Sequence, residues 1–282
     1  MNATITYSTP YGVIGRILDI FEQASNLAPD DELGITLDNS VAGKTFAPMH
    51  IATLACFIEK ATLNGTKVRV RIKGNEAFAN AVMPENWNCP QNANCHDSSA
   101  ESRIWLIKQE EIEAYAEQMY QSIKNGKFQQ KDLSAIKNSM LEIFYNIFDH
   151  ANANGLAFSM LRANPLSGKI EFAACDLGIG IVNSVRKIHP NITDAHAITL
   201  AAKNGFSIRS KAHNMGYGIN NIECACTEDD EFLLISNGIS RLTKNGNVEI
   251  RPTNFFFPGT IVSFESNMNN LPDEEIIDCF VL

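Results

Sequence analysis

Glu142, Asn146 and Asp149 recur at intervals of four and three within Glu142-Ile-Phe-Tyr-Asn-Ile-Phe-Asp-His150. On an α-helix residues three and four apart are neighbours, so the three side chains share one face. Further along stands Asp176-Leu-Gly-Ile-Gly180, a carboxylate leading two glycines after an apolar run. Glycine lets backbone come close to a ligand. A carboxylate on a fixed helix can take a proton from water or a hydroxyl, and an amide oxygen can join the shell of a hard cation. Together these residue types suit a magnesium–nucleotide site. Taken singly, each has a plainer explanation: a solvated helix face for the first, a strand-ending turn for the second. Their order and separation point to one site.

The elements that must hold these residues follow from periodicity. Residues 133–153 place Leu133, Ile136, Met140, Ile143 and Ile147 on a core-facing stripe, with the carboxylate face beside it. Residues 156–161 and 169–175 read as strands joined by a hairpin-like turn over 163–168. A charged helix over 108–125 precedes them. Thr193-Asp194 caps a helix running to Asn204-Gly205, and Gly216-Tyr-Gly218 opens another to about Thr227. Strands follow at 232–236 and 260–264, with others between them. Upstream, residues 11–24 form a helix, 33–38 a strand, 49–63 a helix stopped by Asn64-Gly65, and 67–72 an alternating strand. Short joins make a right-handed crossover the expected connection. Residues 75–102 lose periodicity and read as loop. The expected fold class is α/β, of α+β type, with residues 1–103 as a small α/β module and 104–282 as the second domain with its leading helix.

The 282 residues fit a two-domain prior, and 45% hydrophobic residues can build real cores. A net charge of −9 argues against autonomous nucleic-acid binding and against anionic membranes. The start lacks a basic region followed by an apolar core, so no signal peptide is expected. No apolar run approaches the ~20 residues of a membrane span. Seven scattered cysteines suit reduced thiols and a cytoplasmic location. Cys89, Cys95 and His96 supply only three of the four ligands of a structural zinc site, so incidental thiols are the simpler reading. Cys224 and Cys226, two apart on an expected helix, face different sides.

Over about residues 105–266 the chain resembles the GHKL ATPases, the Bergerat-fold group that includes histidine kinases, gyrase subunits, mismatch-repair ATPases and heat-shock chaperones. The helix with Glu142, Asn146 and Asp149 resembles their N box, Asp176 to Gly180 their first glycine box, Gly216 and Gly218 the second, and Gly259-Thr260 the last element. The resemblance implies ATP and Mg2+ as ligands. It gives Glu142 the role of base, Asn146 that of metal ligand, and Asp176 the adenine amino group, with Thr260 completing that contact. Asp149 matches the chaperone and mismatch-repair version. Gly178, Gly180, Gly216 and Gly218 would supply backbone contacts. The stretch from Gly205 to Met215 resembles an ATP lid, where Arg209, Lys211 and His213 could clamp the phosphates; a solvated loop is the competing reading.

No histidine lies between His96 and His150, so the leading helix has no phospho-acceptor, and a conventional sensor kinase is not expected. Gly34-Ile-Thr-Leu-Asp38, Phe46-Ala-Pro48 and Val68-Arg-Val-Arg-Ile72 resemble part of a STAS domain, but Ala47-Pro48-Met49 stands where that family has its phosphorylatable serine. The expected function is magnesium-dependent ATP hydrolysis or phosphotransfer to a partner protein in signalling. The alternative is an ATP-driven switch that controls a protein interaction without phosphotransfer. A homodimer is among the assemblies the sequence leaves open.

Overall fold

The computed structural model describes residues 1–38, 46–73, 87, 89–90, 103–125, 128–150, 157–164, 167–202 and 229–274. Within them lie a three-stranded parallel sheet and a seven-stranded antiparallel one, giving a mixed α/β protein.

The first sheet runs β1 (Asn2–Thr6), β2 (Glu32–Asp38), β3 (Lys67–Lys73) in that spatial order. Helices α1 (Pro10–Ala24) and α2 (Pro48–Leu63) make the crossovers. The sequence starts α1 with a cap: Thr9 Oγ1 accepts the Gly12 N–H at 3.0 Å, and Pro10 needs no partner for a missing N–H. Val13, Ile14, Ile17, Ile20 and Phe21 then fall on one buried stripe. Alternation on β1 and β2 sends Ala3, Ile5, Leu33, Ile35 and Leu37 to the same helix layer. Gly65, at φ +88°, closes α2 in a conformation that only glycine adopts without strain.

α2 is unlike an ordinary surface helix. Every residue from Pro48 to Ile58 is buried, because the helix lies between the two sheets. On its far side it packs against the larger sheet, whose Phe158, Met160, Ala173, Cys175 and Ile261 share its core cluster.

That sheet is ordered β4 (Ile104–Ile107), β5 (Ala157–Asn164), β6 (Lys169–Asp176), β10 (Thr260–Asn267), β7 (Glu231–Ser236), β8 (Ile239–Lys244), β9 (Asn247–Pro252). Asn237-Gly238 and Asn245-Gly246 turn two of its hairpins with all four residues at positive φ, the geometry of a two-residue type I′ turn. The face opposite α2 carries α3 (Ile112–Lys124), α4 (Ser134–His150), α5 (Ile181–Arg186) and α6 (Asp194–Ala201). Leu133, Ile136, Met140, Ile143 and Ile147 are all buried there, as their spacing predicts. The leading helix differs at its start: Gln109–Glu111 form a 3-10 turn, in which Glu111 accepts the Lys108 N–H, before α3 begins.

His50 fastens the start of α2. Its Nδ1 accepts the Ala47 N–H at 2.9 Å, which places the proton on Nε2, 3.2 Å from the Pro10 carbonyl. Burial pushes its pKa down to about 4; the Pro10 carbonyl works against that shift, and the Arg162 charge adds to it. Unfolded chain therefore binds the proton more readily, and stability from this group is lost as pH falls from about 6.5 to about 4. Urea titrations across that window should show wild type losing up to about 3 kcal/mol relative to His50→Gln. Parallel curves for the two proteins would refute it.

Candidate functional site

The antiparallel register of three neighbouring strands brings three polar residues side by side. Thr260 opens β10 opposite both Asp176, the last residue of β6, and Ser236, the last of β7. Strand alternation puts all three on the face of the sheet that carries α3 to α6. Asp176 and Ser236 have no exposed surface and Thr260 only 4%.

Asp176 Oδ1 accepts the Gly178 N–H at 2.6 Å, closing the turn that leaves the strand. Its Oδ2 is buried with no hydrogen-bond partner among the described residues. Burial pushes the carboxyl up to about 7, with the Gly178 and Thr260 groups acting in the other direction. An unpartnered buried acceptor is destabilising by roughly 1–3 kcal/mol. A hydrogen-bond donor brought to it would satisfy it.

Ser236, Asn237 and Thr260 hold the glycine turn. The Ile181 N–H reaches Ser236 Oγ at 2.9 Å and Thr260 Oγ1 at 3.2 Å. Asn237 uses both ends of its amide: Oδ1 accepts the Asn183 N–H at 3.2 Å, and Nδ2 donates to the carbonyls of Ile179 (3.0 Å) and Pro258 (3.2 Å). Gly180 sits at φ +78°, where a Cβ would stand 2.3 Å from Asn237 Oδ1. At Gly259 a Cβ would lie 2.0 Å from the Asp176 carbonyl oxygen, so the β10 backbone approaches that close only without a side chain. Ser236 and Asn237 are the site residues that motif reading missed. The Asn-Gly pair was a visible hairpin signal, but its amide's place across the sheet is not a matter of spacing.

Glu142 and Asn146 lie half-buried on α4, which packs on the same face of the sheet as Asp176. Burial raises the Glu142 carboxyl above its usual range, the direction a general base needs. No hydrogen bond joins either residue to Asp176 among the described residues. Asp149 is on the same helix, though its side chain lies outside the described residues, as do Arg209, Lys211, His213, Gly216 and Gly218. The described residues contain no group of three or more His, Cys, Asp or Glu able to hold a metal. Asn146 is a single amide, and magnesium bound mainly by water and nucleotide phosphates needs few protein ligands. Cys89 is half-buried, with its thiol raised by burial, while Cys95 and His96 lie outside the described residues. Among the described residues no helix is long and apolar enough to cross a membrane.

Comparison of the sequence with protein-family models and with curated proteins finds no match.

The raised Asp176 carboxyl has the opposite linkage to His50. Its folded pKa lies above the unfolded value, so its contribution is present at low pH and lost as pH rises from about 4 to about 7. Substituting Asn keeps the acceptor for Gly178 and removes the titration. Between pH 4 and pH 8 the stability difference should move by roughly 3 kcal/mol in favour of Asp176→Asn. Chemical denaturation at the two pH values measures it, and an unchanged difference would contradict a carboxyl titrating near 7.

Proposed function

We propose that the chain is a regulatory ATP-binding protein of GHKL type, with a STAS-like N-terminal module, that hydrolyses ATP or passes its terminal phosphate to a partner protein. The observation that carries this reading is Asp176: a wholly buried carboxylate at a strand end, with one oxygen held by Gly178 and the other without a hydrogen-bond partner among the described residues. Such an acceptor selects a base edge that offers a donor, as the adenine amino group does.

The residues present fit the ligands named. Asp176 and Thr260 would receive the adenine edge, while Ser236 and Asn237 keep the glycine turn from collapsing onto it. Asn146 would hold Mg2+, which when bound draws charge from the phosphates. Glu142, raised by burial, would take a proton from water or from a partner's hydroxyl. Arg209 and Lys211 are assigned to the phosphates from the sequence pattern alone.

A second reading, an ATP-driven switch without phosphotransfer, also has a specific observation behind it. α2 packs directly behind β6, and the Cys56 thiol donates to the Cys175 carbonyl at 3.3 Å, one residue from Asp176. Occupancy at Asp176 is thereby in contact with the N-terminal module.

Calorimetry with magnesium and ATP tests the site. Wild type should bind adenine nucleotides in preference to guanine ones. Because the Gly178 N–H fixes the acceptor end of an Asn side chain, Asp176→Asn would point its NH2 at the adenine amino group. Binding should weaken about 10- to 100-fold. Near pH 6 wild type should also release a proton on binding, since a protonated Oδ2 is itself a donor. Absence of magnesium-ATP binding, or an Asp176→Asn variant that binds like wild type, would sink the proposal.

Glu142→Ala separates the two readings. As an enzyme it should keep ATP binding and lose about 10²- to 10⁴-fold in phosphate release or transfer. As a switch it should keep its ATP-dependent partner response in full.

A further inference from the structure

The outer face of the N-terminal sheet carries a notch that the nucleotide site does not use. Gly34 sits in the central strand β2 with Asn2 beside it on β1 and Arg69 beside it on β3. Two residues on, Thr4, Thr36 and Arg71 line up in the same way. A cavity of about 250 Å³ opens over these strands, with Asn2, Glu32, Thr36, Arg69 and Arg71 around Gly34.

Glycine inside a central strand weakens it and often marks a place where a ligand comes close. Here a Cβ would stand 2.2 Å from Asn2 Oδ1, so any larger residue would fill the notch or drive Asn2 out of it. All-parallel sheets generally have both faces covered. In this one the helices α1 and α2 cover the inner face only, among the described residues.

Charge adds a second observation. Lys67, Arg69, Arg71 and Lys73 alternate along β3 and project to this outer face, in a chain of net charge −9. Lys67 pairs with Asp30 at 3.2 Å and Arg69 with Glu32 at 3.3 Å. Arg71 has no ion-pair partner among the described residues, and it lines the cavity. Cations on an edge strand discourage stray pairing, which accounts for the alternation. It does not account for the glycine, the amide and the hydroxyl gathered beside two guanidinium groups.

We propose that this notch binds the phosphoryl group of a small phosphomonoester through Arg71, Arg69, Thr36 and Asn2. Thr36 and the two arginines donate from β2 and β3, and the Asn2 amide, turned to present Nδ2, adds a donor from β1. That set suits a tetrahedral dianion; one guanidinium fork would satisfy a planar carboxylate. Glu32, tied to Arg69, offers an acceptor for a hydroxyl on the remainder of the ligand. The cavity is roomy enough for a phosphoryl group with its bound oxygens.

Isothermal calorimetry of the full chain with glycerol phosphate and with inorganic phosphate, at ionic strength fixed with sodium chloride, tests this. Saturable binding at one site is expected, weakened at least tenfold in Arg71→Ala and in Thr36→Val. Both positions are accessible to solvent, so the variants should fold, and Arg71→Ala should leave magnesium-ATP binding unchanged. Tighter binding of glycerol phosphate supports the Glu32 contact, and equal binding supports a phosphoryl site alone. No saturable binding of either anion, or variants that bind like wild type, would overturn the proposal.

Discussion

The register of β10 between β6 and β7 is the constraint on which the candidate site depends. It sets Thr260 opposite Asp176 on one side and Ser236 on the other. A slip of one residue would turn Ile261 into that position and send Thr260 toward α2. Both ends of the strand hold the register. At the start, Gly259 comes so close to the Asp176 carbonyl that no side chain fits. At the finish, Asp230 accepts the Asn267 N–H at 2.8 Å. Between them the Phe172 and Phe264 rings stack at 4.9 Å.

Burial on both faces makes the site's chemistry expensive and therefore informative. α2 lies behind the ends of β5 and β6 while α3 to α6 cover the front, so Asp176 has no exposed surface. A carboxylate in such a place shifts its pKa upward, because water no longer solvates the charge. The surroundings could have relieved this with a second hydrogen bond. Ser236 and Thr260 instead accept the same Ile181 N–H, and Ser236 donates to the Gly259 carbonyl at 2.9 Å. Thr260 offsets the shift only in part, and Oδ2 is left without a hydrogen-bond partner among the described residues. His50 shows the other way to bury a titratable group: both ring nitrogens have backbone partners, and the side chain serves the fold.

Elements with one clear face were legible from the sequence. α1 and α4 carry stripes that bury as spaced, and β2 and β3 alternate as written. β4 is four residues long and α5 six, too short to establish a period. The Asn-Gly hairpins of β7 to β9 had their turn chemistry in view, but the polar, exposed β9 gave no apolar alternation to go with it. Within the site, Asp176, Gly180 and Thr260 were singled out by short local patterns, and the strand pairing sets them together. Asn237 was not, since its importance lies in reaching Ile179, Asn183 and Pro258, which are distant in sequence. The same holds for the notch at Gly34: the alternating cations were plain in the sequence, while the neighbours Asn2 and Thr36 depend on parallel pairing.

α2 argues that the two sheets are one mechanical object. Its buried run from Pro48 to Ile58 leaves no solvated side along which it could move alone. Ile51, Leu54, Ala55 and Ile58 sit in a single core cluster that takes in β1 and β2 on one side and β5, β6 and β10 on the other. Close-packed interiors do not deform continuously, so a displacement of the outer sheet must be taken up by the next layer. The next layer ends at Cys175 and Asp176. Small side chains at Ala173 and Cys175 bring the helix close to the strand there, and a larger residue at either position would push β6 away from α2. Any ligand that favours one placement of β6 then favours one placement of the N-terminal sheet, and the coupling runs equally in both directions.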